Sequence, residues 1–594
     1  MFNPAHFTSL TDTVLGHQRF LQEQVLDPIL RKLDSHLPKL TQEFASLRAS
    51  FLGKPPLESR EHHIEEDFSL PSPNRELGAQ VRRYTLGTQP RGLHARLRQA
   101  ATPQEHLQGA MSCPHPTKTA SRALTPEWYY VFNQIGASFT HFGVKPTIAS
   151  LIKYRANVRT WLSNLLTFLA PLQAELRRVQ PPSCAAVSGH VNSLFFYVIL
   201  LLSGYSNPRF AFNFWHGAPI VGEFASPALP PARQRENPNP PLSDFGIEQT
   251  ARKCMASLRT VKQSLTPKAA AKCMKKMKAE FASGTLIGPF DTVEALRQGV
   301  QRYIRRIPGF ELFVVLLKHL LISAQFSVTE IHAYEEDTAS PADSPNESIG
   351  SQLTADEGKI RNIWNGKIMN SLALAHSTYV PNTHADLAVI IIQWILLFSR
   401  FGFEYSLKGY PADFKSAYRQ MPLWPLQILF ACSCYFHYEA PNFDHGSVKY
   451  AFYTSLPFGS SIAPADWGET CVALAHVMAY VVLAIITHCV DDICGVEMDE
   501  LVYSSRETFF HIVGLIGLQL DMDKSLTPRA DFIYLGLRLL LPCRLTRQVF
   551  AIKIPPARRI KLISQLERIL LAKSLTSGEA SSMRGRLFFY VAWF

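Results

Sequence analysis

The spacing of hydrophobic residues divides the chain into a helical first part and a mixed second part. Apolar positions recur at helical intervals over residues 10–51 and again within 128–205, which contains a strongly helical segment at 152–172. We therefore predict a mostly helical N-terminal region over residues 1–223. A proline-rich stretch, FASPALPPARQRENPNPPLSDF, follows and predicts a linker over residues 224–250.

The second part alternates between strand-like and helical patterns. Residues 430–438 and 448–453 are β-prone runs on either side of the turn residues PNFDHG, which predicts a hairpin. Thr266 followed by Pro267 indicates the start of a helix that ends at Gly284. The second part is therefore predicted to mix helices and strands.

An apolar stretch over residues 471–490 is long enough to raise the question of a membrane span. It contains His476 and His488, however, and it runs directly into Asp491 and Asp492, whose charges would be costly at membrane depth. We predict a buried helix followed by a buried strand, and no membrane-spanning segment.

Length and composition indicate a folded protein of several domains. The chain has 594 residues, of which 47% are hydrophobic and 18% are charged. Its ten cysteines include no CxxC pair, so a reduced interior without a structural metal is expected. The N-terminus lacks the features of a secretory signal, which predicts an intracellular location in the nucleus or the cytoplasm.

The charge balance favours a polyanionic partner, with nucleic acid as the leading candidate. The net charge is +12, and basic residues concentrate in two runs. The first run comprises Arg252, Lys253, Arg259, Lys262, Lys268, Lys272, Lys275, Lys276 and Lys278. The second comprises Arg544, Arg547, Lys553, Arg558, Arg559, Lys561, Arg568, Lys573, Arg584 and Arg586. Either run could instead be a solvated helical face.

One segment has the opposite charge. Residues 334–357 include seven acidic residues and no basic one, mixed with Ser, Pro and Asn. Such a composition cannot build a hydrophobic core, so we predict a disordered insertion.

The candidate chemistry lies in three segments of the second part. THCVDDICGV places Asp491 and Asp492 between short β-prone runs, which predicts a tight hairpin with carboxylates at its tip. Seventy-eight residues before Asp491, the segment PADFKSAYRQMPL offers Asp413, and the loop LPFGSSIAP lies between the two. Phosphoryl transfer to a 3′-hydroxyl uses two magnesium ions, which prefer carboxylate ligands on rigid strands. Mn²⁺ could substitute for magnesium.

The order of these motifs resembles that of reverse transcriptases. The family's first aspartate motif is matched by Asp413, Lys415, Ala417 and Tyr418. Its glycine loop is matched by Leu456, Pro457, Gly459 and Pro464, with Phe458 as in retrotransposon members. Its two-aspartate hairpin is matched by Val490, Asp491 and Asp492. GLQLDMDKS followed by FIYLG matches the family's lysine motif through Lys524 and its primer-gripping hairpin.

The resemblance implies an α+β right-hand polymerase. It divides the chain after the linker into fingers over residues 251–400, an antiparallel-sheet palm over 401–540 and a partial helical thumb over 541–594. The N-terminal region has no assigned role. Because the chain stops at Phe594 without a ribonuclease H or integrase, a truncated retroelement is expected.

The resemblance also implies roles for individual residues. Asp413 and Asp491 would ligate the metal ions with support from Asp492, and Lys524 would protonate the pyrophosphate. The remaining implied contacts are to the incoming nucleotide, from Lys359, Arg361, Tyr418, Phe458 and Gly459, and to the primer, from Tyr534, Leu535 and Gly536. An aromatic ring at Tyr418 would meet a ribose 2′-hydroxyl, which favours deoxyribonucleotides.

The expected function is therefore synthesis of DNA on a primed RNA or DNA template from deoxynucleoside triphosphates. Two alternatives stay open at this point. An RNA-directed RNA polymerase shares the aspartates, and a catalytically decayed retroelement remnant would only bind nucleic acid.

Overall fold

The structure is a computed structural model, and it describes residues 19–52, 125–232, 265–304, 322–330, 359–364, 369–543 and 550–575, together with positions 253, 366, 580 and 583. The predicted acidic insertion over 334–357 lies outside the described residues. The same is true of residues 233–250 of the proline-rich stretch.

Thirteen α-helices occur in the described residues. They are α1 (Asp27–Asp34), α2 (Leu37–Leu52), α3 (Pro126–Phe142), α4 (Val144–Arg178), α5 (Pro182–Ser188), α6 (Ser193–Ser203), α7 (Asn213–His216), α8 (Pro267–Ala282), α9 (Val293–Ile304), α10 (His384–Arg400), α11 (Ala463–Val477), α12 (Asp499–Ile516) and α13 (Pro556–Ala572). Shorter 3₁₀ or π turns lie at Leu21–Leu26, Pro208–Phe212, Met369–Leu372, Ala417–Gln420, Pro425–Phe430 and Met478–Val482.

Thirteen strands complete the described secondary structure. They are β1 (Gly222–Phe224), β2 (Leu286–Phe290), β3 (Ile322–Glu330), β4 (Lys359–Trp364), β5 (Ala373–Ala375), β6 (Leu407–Asp413), β7 (Cys432–Tyr438), β8 (Gly446–Tyr453), β9 (Ile486–Cys489), β10 (Asp492–Met498), β11 (Asp531–Tyr534), β12 (Leu537–Leu540) and β13 (Ala551–Lys553). The mixture of helices with small sheets confirms an α+β composition.

The strands form four sheets. The largest has the order β2-β8-β7-β3-β4, and it is antiparallel except for the parallel pair β3 and β7. A second sheet has the antiparallel order β6-β10-β9, a third the antiparallel order β11-β12-β13, and β1 pairs with β5 in parallel. The predicted hairpin over 430–453 is confirmed as β7 and β8.

The sheet β6-β10-β9 is covered by helices from both parts of the chain. Helix α10 begins with a capping box in which Thr383 and Asp386 exchange hydrogen bonds, and its Trp394 indole donates to the Val496 carbonyl at 3.0 Å. Helix α12 follows β10 directly and packs against the 35-residue helix α4. One hydrophobic core therefore joins helices before residue 204 to this sheet.

Several local predictions are confirmed. Thr266 caps α8 by accepting a hydrogen bond from the Ala269 N–H, and residues 152–172 lie within α4. The apolar stretch 471–490 forms the end of α11, a π turn and strand β9, and most of its side chains are buried. Because proline cannot donate a strand hydrogen bond, Pro411 predicts an edge position or a bend, and it lies on the edge strand β6.

The described part of the proline-rich stretch is packed rather than extended into solvent. Phe224 and Leu229 are buried, and the segment bonds to residues that follow β5 through the Ala232 N–H to the His376 carbonyl and the Thr378 N–H to the Pro230 carbonyl.

None of the described helices is by itself long and apolar enough to cross a membrane. The pair α5 and α6 meets that length and composition test only when both helices are taken together across a 74° bend.

Candidate active site

A two-residue turn between β9 and β10 presents Asp491 and Asp492. Cys489 and Asp492 face each other as the last pair of the hairpin, which leaves Val490 and Asp491 as the turn. Val490 has a φ of 59°, a left-handed conformation that is unfavourable for a β-branched residue. Such strain persists only where surrounding contacts enforce it, and it is frequent at functional sites.

Asp413 lies beside this turn because β6 pairs with β10. Asp413 is the register partner of Asp492, and the Phe414 N–H donates to the Asp491 carbonyl at 3.1 Å. Asp413 is only 6% exposed. Burial raises the pKa of Asp413, the nearby Asp491 charge adds to this, and the Lys524 ammonium opposes it. The three predicted aspartates thus lie at one end of two adjacent strands.

Lys524 is brought to the same place by the loop that follows α12. Its ammonium forms ion pairs with Asp413 and, at 3.3 Å, with Asp521. The Asp521 N–H donates to the Asp413 carbonyl at 2.7 Å, which fixes the loop against the end of β6. Burial lowers the pKa of Lys524, but the hydrogen bonds and charges of the two aspartates outweigh it, so the pKa is raised overall.

The donor set suits a hard divalent cation, although the described residues form no closed metal cage. Within the described part of the chain, no group of three or more His, Cys, Asp or Glu side chains is arranged to hold a metal ion by itself. Magnesium is commonly bound by one or two carboxylates together with substrate phosphates. Asp413 and Asp491, which interact electrostatically, are compatible with that mode of binding.

Tyr418, five residues after Asp413, forms an aromatic pair with Phe458 of the glycine loop. Tyr418 lies in the 3₁₀ turn that follows β6 and is 9% exposed, and its ring centroid is 5.0 Å from that of Phe458. The Arg419 guanidinium lies 5.6 Å from the Phe458 ring centroid and forms an ion pair with Glu280 of α8 at 2.9 Å. The predicted nucleotide contacts Tyr418 and Phe458 therefore touch each other.

The glycine loop is held by Asn370. The Asn370 side chain donates to the Gly459 carbonyl at 3.0 Å and accepts from the Ser461 N–H at 2.9 Å. This loop leads into α11, which packs behind the sheet. Asn370 is thus placed to fix the shape of the loop that carries Phe458 and Gly459.

The predicted primer-gripping hairpin is formed by β11 and β12. Leu535 and Gly536 are its two turn residues, with φ values of 45° and 75°. The positive φ of Gly536 favours glycine there, and a larger side chain would also displace the Arg558 guanidinium of α13. The buried Tyr534 hydroxyl donates to the Asp492 carbonyl at 3.5 Å, which links this hairpin to β10.

The two predicted fingers cations are placed only through their backbone. Lys359 and Arg361 lie in β4 and pair with Glu330 and Val328 of β3. Their side chains lie outside the described residues. The contact of these residues with a triphosphate stays a prediction.

Two groups around the site were not found from the sequence. The first is Tyr379, whose hydroxyl accepts from the Val490 N–H of the turn and bonds to the His488 ring of β9. The second is Arg155 of α4, which forms an ion pair with Glu497 of β10. Tyr379 lies in a loop whose sequence carries no motif. Arg155 did carry a signal, because it is a charged residue on the apolar face of a helix that also buries Leu151 and Val158.

Comparisons with known proteins find distant structural likeness only. No protein-family model matches the chain, and no curated protein matches it. Solved structures of a foamy viral protease-reverse transcriptase in complex with double-stranded DNA are 14% identical to it. One has a TM-score of 0.31 over 62% of this chain and 45% of that chain, and another has 0.31 over 63% and 54%.

The native protease-reverse transcriptase of prototype foamy virus is similar at the same level. It has 14% identity and a TM-score of 0.29 over 63% of this chain and 37% of that one. The chain therefore spans about half the length of the solved structures it matches, and a likeness this distant concerns the fold at most.

Proposed function

We propose that the chain is a template-directed DNA polymerase of the reverse-transcriptase kind, using deoxynucleoside triphosphates and a primed nucleic-acid template. The observation that carries the proposal is the meeting of Asp413, Asp491 and Asp492 at one end of β6 and β10. Carboxylates from distant parts of the chain that meet beside a strained turn are frequent at functional sites.

Asp413 and Asp491 are the residues that would hold magnesium, or manganese in its place. Bound there, the two ions of this chemistry would supply charge neutralisation at the attacking and leaving oxygens. The Lys524 ion pair with Asp413 favours the ionised form of that carboxylate, against the burial that raises its pKa. Release from Asp413 would leave the ammonium beside the reacting groups, where it can donate a proton to the leaving pyrophosphate.

The surrounding residues would select and position the substrates. The Tyr418 ring, packed against Phe458, would fill the space that a ribose 2′-hydroxyl needs. Tyr534, Leu535 and Gly536 would hold the primer end, and the exposed lysines of α8 would contact the phosphate backbone.

A primer-extension assay tests the proposal. Asp413→Asn and Asp491→Asn should each reduce extension at least a hundredfold, equivalent to ~2.7 kcal/mol of transition-state stabilisation, while primer–template binding persists. Asp499→Asn is the matched control because Asp499 follows the opposite end of β10 and pairs with Lys408 at 2.7 Å. It should extend primers as the wild type does.

The same assay separates the alternatives. Retention of more than a tenth of wild-type extension in both aspartate variants would exclude a metal-ligand role for these residues. Extension with ribonucleotides alone would indicate an RNA polymerase. Binding of primer–template without any extension by the wild type would indicate a decayed, nucleic-acid-binding remnant.

A further inference from the structure

The backbone of the β9–β10 turn is held from outside the hairpin by side chains that no motif includes. The Val490 N–H donates to the Tyr379 hydroxyl oxygen at 2.9 Å, and the Cys471 thiol donates to the Val490 carbonyl at 3.0 Å. Both polar backbone groups of the strained residue are therefore fixed by other elements. Because Asp491 directly follows Val490, these two hydrogen bonds also restrict the position of Asp491.

The Tyr379 hydroxyl also connects the turn to His488. Its distance to His488 Nδ1 is 3.0 Å. Burial lowers the pKa of His488 to about 4, so the ring is neutral near pH 7 and Nδ1 can accept. Since the hydroxyl accepts from Val490, its own proton is directed at His488, whose Nδ1 lies at 3.0 Å and whose carbonyl oxygen lies at 3.4 Å. The result is a chain of hydrogen bonds from the Val490 N–H through the tyrosine O–H to His488.

A second residue of the same loop holds the strand just before the turn. The Asn382 side chain accepts from the His488 N–H at 2.9 Å, and the Asn382 N–H donates to the His488 carbonyl at 2.8 Å. Asn382 thus holds both backbone polar groups of His488, two residues before the turn residue Val490.

The ring of Tyr379 packs against Gly468, where any larger residue would collide with it. A Cβ built on Gly468 of α11 would collide with the Tyr379 ring. The ring therefore lies directly on the helix backbone, and its hydroxyl reaches the turn from a fixed support. Tyr379 therefore contacts both helix α11 and the β9–β10 hairpin, in addition to the hydrogen bonds made by Cys471 and Asn382.

We propose that Tyr379 is a positioning residue that fixes the Val490–Asp491 turn and thereby sets where Asp491 presents its carboxylate to a divalent cation. This inference rests on the proposed function for its catalytic meaning. The hydrogen-bonding geometry itself stands independently of that function.

The test compares Tyr379→Phe with Tyr410→Phe in the full chain. Tyr379→Phe keeps the ring on Gly468 and removes only the hydroxyl. Tyr410→Phe is the matched control, because Tyr410 lies in β6 of the same sheet and its hydroxyl bonds to Ser505 of α12 at 3.1 Å, away from the turn. Equal melting temperatures of the two variants would show that both remain folded.

Three measurements follow on each variant. Amide hydrogen exchange of the peptide containing Val490 should be at least tenfold faster in Tyr379→Phe and unchanged in Tyr410→Phe. Mn²⁺ binding, followed by electron paramagnetic resonance, should weaken roughly tenfold in Tyr379→Phe only, as expected when a group that orients a ligand is lost. Primer extension should lose kcat with little change in the KM for nucleotide.

The outcomes are separable from those of the proposed function. Equal exchange in both variants would overturn the proposal even if the wild type extends primers. Faster exchange with unchanged Mn²⁺ binding would also overturn it, because the turn would then not set the carboxylate. If the wild type neither binds Mn²⁺ nor extends primers, the proposed polymerase function fails, and the exchange data alone decide whether Tyr379 fixes the turn.

Gly468→Ala provides a second route to the same decision. The added methyl group displaces the Tyr379 ring, and the hydroxyl with it, without removing the hydroxyl from the side chain. It should reproduce the faster exchange of the Val490 peptide. Unchanged exchange in a folded Gly468→Ala variant would contradict the inference that packing of the Tyr379 ring on Gly468 places its hydroxyl at the turn.

Discussion

The two ends of strand β10 carry carboxylates in opposite circumstances. Asp492 begins the strand, is partly exposed and lies beside Asp413 and Asp491. Glu497, near the other end, is 2% exposed and bound by the Arg155 guanidinium through both of its oxygens, at 2.6 and 2.9 Å. At the Asp492 end, carboxylates are partly exposed, whereas at the other end the carboxylate of Glu497 is buried.

The difference shows what each end contributes. Arg155 also donates to the carbonyls of Val482, Leu483 and Leu501 and to the Ser504 hydroxyl. These hydrogen bonds use its donors on a strand, a turn and a helix around the sheet, which ties α4 to β10. A buried charge pair of this kind has no room for a substrate, whereas under the proposed function the opposite end would exchange Lys524 for a metal ion.

The largest effect is expected from breaking the buried end. Arg155→Met should lower the free energy of unfolding by about 3–5 kcal/mol, because it leaves Glu497 buried without its counter-charge. Urea denaturation measures it. Adding Glu497→Gln to Arg155→Met should recover part of the loss. Asp491→Asn should change stability by no more than about 0.5 kcal/mol. Equal losses in Arg155→Met and Asp491→Asn would erase the contrast between the two ends.

Glu469 of α11 sharpens the comparison as a buried carboxylate with neutral donors. It accepts from Ser226 and Asn207, both at 2.7 Å, and burial raises its pKa to about 7. The contribution of Glu469 to the free energy of unfolding is therefore fully present below about pH 4.5, where the carboxyl is protonated in both states. It is lost as pH rises through about 7, and the change is roughly 1–3 kcal/mol. Glu469→Gln should be more stable than the wild type above pH 7 and similar below pH 4.5.

Calorimetry across that pH range measures the difference between the two proteins. The comparison between variants is essential, because His216 and His488, whose pKa values burial lowers to about 4, oppose the trend between about pH 4 and 6.5. A constant difference at all pH values would contradict the assignment.

Tyr418 tests the accessible end through substrate choice. Tyr418→Val should raise ribonucleotide incorporation relative to deoxyribonucleotide at least tenfold, equivalent to ~1.4 kcal/mol, because the clashing ring is removed. Competing single-nucleotide extensions measure the ratio. A variant that remains active with the wild-type sugar preference would show that Tyr418 is a core residue rather than a gate.

The smallest effect is expected at the surface of α8. Lys275 and Lys278 are exposed while Cys273, Met274 and Met277 of the same helix are buried. Replacing both lysines with glutamine should reduce the slope of primer–template affinity against salt, on logarithmic axes, by roughly 2. Titration by fluorescence anisotropy gives that slope. An unchanged slope would identify these lysines as a solvated face only.

Structural features that depend on a few contiguous residues could be predicted from the sequence. Adjacent aspartates between β-prone runs predicted the hairpin, and Pro411 predicted an edge position or a bend, of which the structure shows the edge position. The convergence of Asp413 with the hairpin agrees with what the motif order implies. Each of these features depends on local backbone geometry or on motif order, both of which a sequence carries.

The contacts that hold the site could not be found in this way. Arg155 and Glu497 are 342 residues apart, and a charged residue on an apolar helix face does not reveal its partner. Tyr379 acts through the approach of its ring to Gly468, which only three-dimensional packing creates. The resemblance gave Lys524 a role in proton donation, whereas its ion pair with Asp413 emerged from the fold of a separate loop.

The edge strand β6 has a consequence for solubility. Its outer side is closed by the segment after α12, through the Gly409 and Arg529 pair at 2.9 and 3.0 Å and the Leu526 N–H to the Pro411 carbonyl at 3.1 Å. Pro411 contributes no donor on that side. An open edge would be a template for intermolecular strand addition and aggregation. The strand that carries Asp413 is therefore protected from self-association along its length.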